Sequence, residues 1–316
     1  MVHWLVIGIR DITRRRVIPA ILQEPRSRLQ AILTRDPPKA VAFPGVHVFT
    51  TLEDALQQSS IDAVYVASPV YLHAPQTIAS LNAWKHVLCE KPTAMSFADA
   101  QFMVAAAWRN DRLLGVAYYR RLFPKLIRAR QLIAAGAIGQ PVLAEANCHS
   151  WLAADDPGGA RNWLFSPAMA GGGPLYDIAC HRIDALNFLF GHPCRATGFM
   201  SNAVHQTEVE DSATVLIEYK HGVHATVDVR WNSHVSRDQF RVVGTAGEMN
   251  LDPLSGPDLR IPGAEESIPT HPNVHYPSIQ NFTAAILDRT PLACPGEEAA
   301  WTDWVTQEVR SQNQFQ

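Results

Sequence analysis

The fold is decided by residues 3–24, which read HWLVIGIRDITRRRVIPAILQE. Residues 3–8 form a short apolar run that ends at Gly8, and residues 12–24 then carry apolar side chains at helical spacing. A buried strand, a glycine turn and an amphipathic helix in this order are typical of the start of a βαβ unit. The stretch therefore predicts the first strand and helix of a doubly wound parallel sheet.

The same alternation continues to about residue 120. Apolar strands are predicted over residues 29–33, 63–67, 86–89 and 113–118, and helices over 52–58, 73–83 and 97–108. Strands that alternate with helices indicate a parallel sheet with helices on both faces. We therefore predict an α/β domain over residues 1–120.

The rhythm changes in the rest of the chain. A helix over 122–135, a strand over 142–149, a polar loop over 153–173 and a helix over 174–190 come first. Strands then follow over 212–219, 223–231, 240–244 and 248–251, and helical stretches over 281–288 and 297–309. The turn Lys220-His221-Gly222 predicts a hairpin. This pattern predicts an α+β domain over 121–316 with a mostly antiparallel open sheet.

Composition narrows the class of protein. The net charge of -3 over 316 residues provides no basic surface for nucleic acid, and the N-terminal apolar run is too short for a membrane span or a signal peptide. The five cysteines stand far apart, without the spacing of a metal site or a disulfide framework. We expect a cytoplasmic protein that has no nucleic-acid partner, no membrane partner and no metal.

The first turn is a partial match to a dinucleotide-binding fingerprint. That fingerprint has glycine at the first, third and sixth positions, and here these positions hold Gly8, Arg10 and Thr13. Such a turn would present backbone N–H groups to a pyrophosphate, with Arg10 pointing away or clamping the phosphates. An ordinary βα turn explains this stretch equally well.

The second strand ends in Thr34-Arg35. In this place an acidic residue would hold the ribose of NAD, whereas a hydroxyl and an arginine fit a 2′-phosphate. The pair favours NADP(H) over NAD(H) as the cofactor. The alternative is a solvated arginine at the start of the loop Asp36-Pro37-Pro38.

Polar residues follow the next two strands of the predicted sheet. Ser68, Pro69 and His73 come after one strand, and Glu90-Lys91 comes after the next. Parallel sheets bind ligands beyond the carboxyl ends of their strands. A Glu–Lys pair is normally a surface ion pair of little worth. At the mouth of a sheet, however, Lys91 could exchange a proton with a carbonyl/alcohol couple.

A glycine turn, Gly171-Gly172-Gly173, precedes a helix that carries Asp177, His181 and Asp184 at i, i+4 and i+7. This spacing places the three side chains on one face of an otherwise apolar helix. A polar stripe on a buried helix is expected to line a site. The alternatives are a solvated face and a metal site, and a metal ranks low because no further ligands cluster in the sequence.

Together these features resemble the glucose–fructose oxidoreductase, inositol dehydrogenase and rhizopine-catabolism (Gfo/Idh/MocA) family over nearly the whole chain. Trp84 and Ala179 stand where that family usually has glycine, and the first turn looks most like that of the NADPH-dependent 1,5-anhydrofructose reductases. The residues that carry the resemblance are Lys85-His86-Val87-Leu88-Cys89-Glu90-Lys91-Pro92, Gly171–Gly173 with Asp177 and His181, Arg120-Arg121, Glu210-Asp211 and Gly244-Thr245-Ala246-Gly247.

The resemblance implies a Rossmann domain, a substrate domain whose sheet forms a homodimer or homotetramer, and hydride transfer between a nicotinamide and a sugar or polyol. Lys91 would be the catalytic lysine, and Asp177 and His181 would hold substrate hydroxyls or relay a proton. A non-catalytic dinucleotide- or sugar-binding regulator on the same fold is the alternative.

We assign two sets of residues on this basis. Core packing would explain the aromatic members of the second set about as well as a sugar site does. The cofactor set is Gly8, Arg10, Ile12, Thr34, Arg35, Ser68, Pro69, His73, Glu90 and Lys91, and the substrate set is Tyr119, Arg121, Trp163, Asp177 and His181.

Overall fold

A computed structural model describes residues 1–40, 42–154 and 161–313. The chain forms two compact units. Unit 1 comprises Met1–Tyr119 and His271–Ala300, and unit 2 comprises Arg120–Thr270 and the chain from Trp301 onward. The sequence pattern placed everything after residue 120 in the second domain, whereas residues 271–300 belong to the first unit.

Unit 1 is built on a parallel sheet of six strands in the order β3-β2-β1-β4-β5-β6. This order is typical of dinucleotide-binding sheets and confirms the predicted doubly wound fold. The three-residue strand β3 was not predicted, because its short run carries no clear alternation. The strands are β1 (Val2–Ile7), β2 (Ser27–Leu33), β3 (His47–Phe49), β4 (Ala63–Val66), β5 (His86–Cys89) and β6 (Leu114–Val116).

Helices cover both faces of this sheet. The helices are α1 (Ile18–Gln23), α2 (Leu52–Leu56), α3 (His73–Asn82), α4 (Phe97–Arg109) and, from the later segment, α8 (Tyr276–Asp288). Because alternate residues of a strand face opposite sides, Leu5 and Ile7 enter one core and Trp4 and Val6 the other. Phe282 of α8 packs on Trp4, with 5.6 Å between the ring centroids. This contact explains why residues 271–300 belong to unit 1.

Unit 2 holds an eight-stranded sheet in the order β14-β13-β12-β11-β7-β10-β9-β8. Every pairing in it is antiparallel except that of β7 with β10, so the mostly antiparallel sheet is confirmed. The β9–β10 hairpin turns at His221 and Gly222, which have φ angles of 63° and 77°. The strands are β7 (Pro141–Trp151), β8 (Pro193–Ser201), β9 (Ser212–Tyr219), β10 (His224–Arg230), β11 (Asn232–Gly244), β12 (Gly247–Asn250), β13 (Asp258–Ile261) and β14 (Ala264–Ser267).

The helices of unit 2 are α5 (Pro124–Ala134), α6 (Pro167–Ala170) and α7 (Cys180–Phe190), and α9 (Gly296–Ser311) begins in unit 1 and continues into unit 2. Nearly every residue of α7 is buried, including charged ones. Part of the loop predicted over 153–173, residues 155–160, lies outside the described residues. Within the described ranges no helix is both long enough and apolar enough to cross a membrane.

Candidate functional site

A cavity of about 380 Å³ opens at the carboxyl ends of β1, β2 and β4 in unit 1. This is the point where the strand order reverses, between β1 and β4. Of the predicted cofactor residues, Gly8, Arg10, Thr34, Arg35, Ser68 and Pro69 line it, whereas Ile12, His73, Glu90 and Lys91 do not. Six residues that no motif singled out as ligands, namely Asp36, Lys39, Thr50, Leu52, Leu72 and Gln76, complete its polar and apolar walls with others.

Gly8 is the one position of the first turn at which the backbone requires glycine. Its φ is +90°, and a Cβ there would lie 2.8 Å from the carbonyl oxygen of Ala67. The absence of a side chain lets the end of β1 lie directly against the end of β4. It also keeps the cavity wall at backbone level, where a phosphate could approach peptide N–H groups.

Thr13 replaces the last glycine of the fingerprint by holding the turn together itself. Its fully buried hydroxyl accepts a hydrogen bond from the Arg10 N–H at 2.8 Å and donates one to the Arg10 carbonyl at 2.9 Å. The π-helical turn Thr13–Val17 then leads into α1, whose Pro19 cannot donate a backbone hydrogen bond. The turn is therefore tight although two of the three glycines are missing.

The charged side chains that line the cavity are Arg10, Arg35, Lys39 and Asp36. The Asp36 carboxylate is paired with the Lys39 ammonium at 2.8 Å. Burial and the nearby charge of Arg35 lower the pKa of Arg10. Two guanidinium groups that repel each other over one cavity would be stabilised by an anion bound between them.

Lys91 follows β5, and the residue before it, Glu90, is a buried carboxylate. Glu90 Oε1 accepts a hydrogen bond from the Tyr65 hydroxyl at 2.7 Å and lies 3.5 Å from His275 Nε2. Glu90 Oε2 accepts the Lys91 backbone N–H at 3.2 Å. Glu90 thus fixes the backbone of Lys91 from within the core. Nothing in the sequence around Glu90 pointed to Tyr65 or His275 as partners.

His73 joins the loops that follow β4 and β5. Its Nδ1 lies 2.9 Å from the Pro92 carbonyl oxygen and its Nε2 lies 3.0 Å from the Ser68 carbonyl oxygen. Burial lowers the pKa of His73, and these carbonyl contacts oppose that effect. The ring therefore holds the loop that carries Lys91 against a loop that lines the cavity.

In unit 2 the glycine turn packs against Glu210. A Cβ on Gly172 would lie 2.4 Å from the Tyr176 ring, and one on Gly173 would lie 2.0 Å from the Glu210 carbonyl oxygen. The Glu210 carboxylate accepts the Leu175 N–H at 3.0 Å and so caps the following helix. Two motifs that are distant in the sequence therefore form one structural junction.

Asp177 and His181 lie on this capped helix, but not on a regular one. Leu175–Ala179 form a π-helical turn before α7 begins at Cys180. A π turn contains an extra residue, so the simple i, i+4, i+7 pattern does not continue through it. His181 is buried, and Asp177 is half-buried. The predicted stripe over Asp177, His181 and Asp184 was wrong in its third member.

Asp184 instead forms an ion pair with Arg121. The Arg121 Nη2 lies 2.8 Å from Asp184 Oδ1, and Nε donates to both carboxylate oxygens at 2.9 and 3.0 Å. The two side chains are 4% and 1% exposed. The predicted substrate residue Arg121 is thus held by a buried carboxylate on α7.

The aromatic members of the predicted substrate set have different surroundings. Trp163 is partly buried against the apolar cluster that contains Leu164 and Trp231 in unit 2. Tyr119, at the end of the first stretch of unit 1, lies with its ring centroid 4.8 Å from that of His275. Tyr119 therefore contacts the same histidine that approaches Glu90.

Comparison with known proteins gives two family matches along the chain. Residues 2–118 match the model of an oxidoreductase family with an NAD-binding Rossmann fold, and residues 126–250 match the GFO/IDH/MocA C-terminal domain. Together the two models cover most of both units.

Curated relatives match over most of their length. The 1,5-anhydro-D-fructose reductase of Ensifer adhaerens is 30% identical, covering 96% of this chain and 93% of the relative. The dTDP-3,4-didehydro-2,6-dideoxy-alpha-D-glucose 3-reductase of Streptomyces violaceoruber is 32% identical, covering 84% and 80%. Among solved structures, the aldose-aldose oxidoreductase of Caulobacter crescentus, complexed with glycerol, superposes with a TM-score of 0.86 at 24% identity, covering 99% and 98%.

Proposed function

This chain belongs to the GFO/IDH/MocA family of oxidoreductases, and from that premise we propose that it reduces the keto group of a sugar derivative with NADPH. It is an oxidoreductase that uses a nicotinamide dinucleotide and acts on sugars or their derivatives, rather than a non-catalytic regulator. The proposal adds the direction of the reaction, the form of the cofactor and the roles of individual residues.

The single observation that carries the proposal is the cavity at the switch point of the parallel sheet. Gly8 leaves room there for a pyrophosphate, and Arg10 and Arg35 supply positive charge beside Thr34. These residues fit a dinucleotide with a third phosphate, because a 2′-phosphate would relieve the repulsion between the guanidinium groups. We assign the 2′-phosphate to Thr34 and Arg35, and the pyrophosphate to the Gly8 turn.

The other predicted cofactor residues have supporting roles in this proposal. Glu90 and His73 hold the loop that contains Lys91, and Ile12, which is exposed on the first helical turn, flanks the phosphates. We propose that these residues act on the cofactor through the loops and the turn to which they belong.

The chemistry proposed for the protein is proton transfer and orientation. Bound NADPH supplies the hydride for the substrate carbonyl carbon. Lys91 donates a proton to the carbonyl oxygen, and His181 supports that transfer. Asp177 orients His181 or binds a substrate hydroxyl, and burial of these groups excludes competing water.

We propose a sugar-derived ketone as the substrate because curated relatives are named as reductases of an anhydro-sugar and of a didehydro-deoxy sugar nucleotide. Tyr119 and Trp163 offer flat apolar surfaces for a sugar ring. Arg121, oriented by Asp184, is proposed to donate hydrogen bonds to a hydroxyl.

The cofactor assignment is tested by fluorescence titration of the protein with NADPH and NADH. We expect NADPH to bind at least tenfold more tightly, because a charged hydrogen bond contributes about 1.5–3 kcal/mol. Arg35→Ala is expected to remove this preference. Arg28→Ala is the matched control, since Arg28 lies near the opposite end of β2 and does not line the cavity. Equal affinities for both cofactors in the wild type would refute the assignment.

The catalytic assignment is tested by screening ketoses and keto-sugar derivatives for oxidation of NADPH. Lys91→Ala and His181→Ala are expected to lower turnover at least a hundredfold, a typical size for the loss of acid–base catalysis, while cofactor affinity stays nearly constant. Lys220→Ala, in the exposed β9–β10 turn, is the control. Unchanged turnover in both site variants would sink the proposal.

We also propose that the chain forms a homodimer or homotetramer through the sheet of unit 2. Phe199 and Leu216, on adjacent strands of that sheet, are 80% and 49% exposed, which is unusual for large apolar side chains on one sheet face. Light scattering of the wild type and of Phe199→Glu tests this, and a monomeric wild type would refute it. The cytoplasmic location stays a prediction from the sequence.

A further inference from the structure

Glu90 brings a buried negative charge next to the residue proposed as the proton donor. Its side chain is about 90% shielded from solvent. A buried carboxylate without a compensating charge is costly, so a cationic partner is expected close to it. The nearest candidate side chain from another element is His275, from the segment that precedes α8, with Nε2 3.5 Å from Glu90 Oε1.

The net effect of the surroundings favours the ionised form of Glu90. Burial raises the pKa of Glu90, but the His275 ring, the Tyr65 hydroxyl and the charge of Lys91 outweigh burial and lower the pKa below its usual value. Titratable groups face this site from each packed element, and His275 is the one that can supply a positive charge to the Glu90 oxygen without being the reacting group. They are Tyr65 on β4, His73 on α3, Cys89 and Lys91 around the end of β5, and Tyr119 after β6.

We infer that His275 is a positioning residue which, as an imidazolium held against Glu90, sets the charge beside Lys91 and thereby the pH at which Lys91 loses its proton. The inference rests on the proposed function only in naming Lys91 as the proton donor. It adds a determinant of pH dependence that lies far from Lys91 in the sequence.

The physical argument predicts opposite effects for two substitutions. In His275→Gln the ring charge is lost and a hydrogen-bond donor is kept, so the Glu90 charge acts on Lys91 without compensation and raises its pKa. In Glu90→Gln the carboxylate charge is lost and the pKa of Lys91 falls. A purely structural role for His275 predicts weaker folding or lower turnover, without shifts of opposite sign.

The experiment measures the pKa of Lys91 without relying on turnover. Wild type and variants are labelled with trace acetic anhydride at graded pH, and the extent of labelling at Lys91 is read by peptide mass spectrometry. His271→Gln is the matched control, because His271 lies in the same segment and contacts Tyr276 and Asn273 instead of Glu90. Circular dichroism at each pH establishes that the variants are folded.

We expect the labelling midpoint of Lys91 to rise by about one pH unit in His275→Gln, to fall in Glu90→Gln and to stay constant in His271→Gln. The pH profile of kcat/KM should move in the same directions. An unchanged midpoint in His275→Gln, or shifts of the same sign in both variants, would overturn the inference. If His275→Gln does not fold, an unchanged midpoint in Glu90→Gln overturns it.

The labelling result separates this inference from the proposed function. A protein that turns over no sugar with NADPH, yet shows the opposite shifts, would refute the function and retain the role of His275. A protein that reduces a sugar through Lys91 with no shift in either variant would retain the function and refute the role of His275.

Discussion

The ion pair between Arg121 and Asp184 offers the sharpest test of how unit 2 is held together. Asp184→Asn keeps the shape of the side chain and leaves the buried guanidinium without a carboxylate. Because both side chains are at least 96% shielded from solvent, loss of one partner is expected to lower the free energy of unfolding by about 3–5 kcal/mol. Thermal unfolding should then begin roughly 10 °C earlier.

The assay is urea unfolding followed by circular dichroism, and a double variant completes the test. Arg121→Met with Asp184→Leu replaces both charges by apolar groups of similar size, so stability should return to within about 1 kcal/mol of the wild type. The exposed pair of Arg195 with Glu218 is the control, and Glu218→Gln should change stability by less than about 1 kcal/mol.

The same double variant tests the proposed substrate role of Arg121. If the guanidinium also binds a sugar hydroxyl, the restored protein should keep its kcat while its KM for the sugar rises about tenfold. A loss below about 1 kcal/mol in Asp184→Asn would refute the reasoning about the buried pair. A wild-type KM in the restored double variant would refute substrate binding by Arg121.

Three further predictions follow from the geometry. Burial and the charge of Arg112 lower the pKa of His86 from 6.5 to about 4, so the unfolded chain takes up the proton first and stability falls as pH drops through this range, by about 2 kcal/mol after allowance for partial exposure; urea unfolding of His86→Gln should show a flatter decrease, and an equally steep one would contradict this. Gly173→Ala should destabilise the fold by more than about 2 kcal/mol, because its Cβ would overlap the Glu210 carbonyl, and a wild-type melting temperature would disprove this. Gly8→Ala should weaken NADPH binding at least tenfold in fluorescence titrations, and unaltered affinity would speak against the phosphate site.

Much of unit 1 was predictable because its signals are local. The strand over 86–89 and the helices that follow each strand carry their periodicity in a few adjacent residues, and parallel strands bring their carboxyl ends to one edge. Gly8, Thr34 and Ser68 could therefore be expected to meet around one cavity, as they do. The sheet of unit 2 was less complete, since β8, β13 and β14 are short or irregular in pattern.

The partners of the site residues were not predictable, because they depend on contacts between distant segments. His275 approaches Glu90 although no local spacing links the two residues. Asp184 turns to Arg121, since a π turn interrupts the helical repeat and a buried guanidinium requires an anion. Thr13 shows the converse, because a side chain missing from the fingerprint holds the turn by its own hydroxyl.

The return of residues 271–300 to unit 1 has a consequence for synthesis on the ribosome. Trp4 is among the first residues to leave the exit tunnel, but Phe282, which covers it, emerges only after the whole sheet of unit 2 has been made. The nascent Rossmann sheet must wait with one apolar face uncovered, and such a face is a typical binding site for chaperones. A gene fragment that stops at residue 120 should accordingly yield an aggregating polypeptide, and exchange of the second domain between relatives requires two splice points.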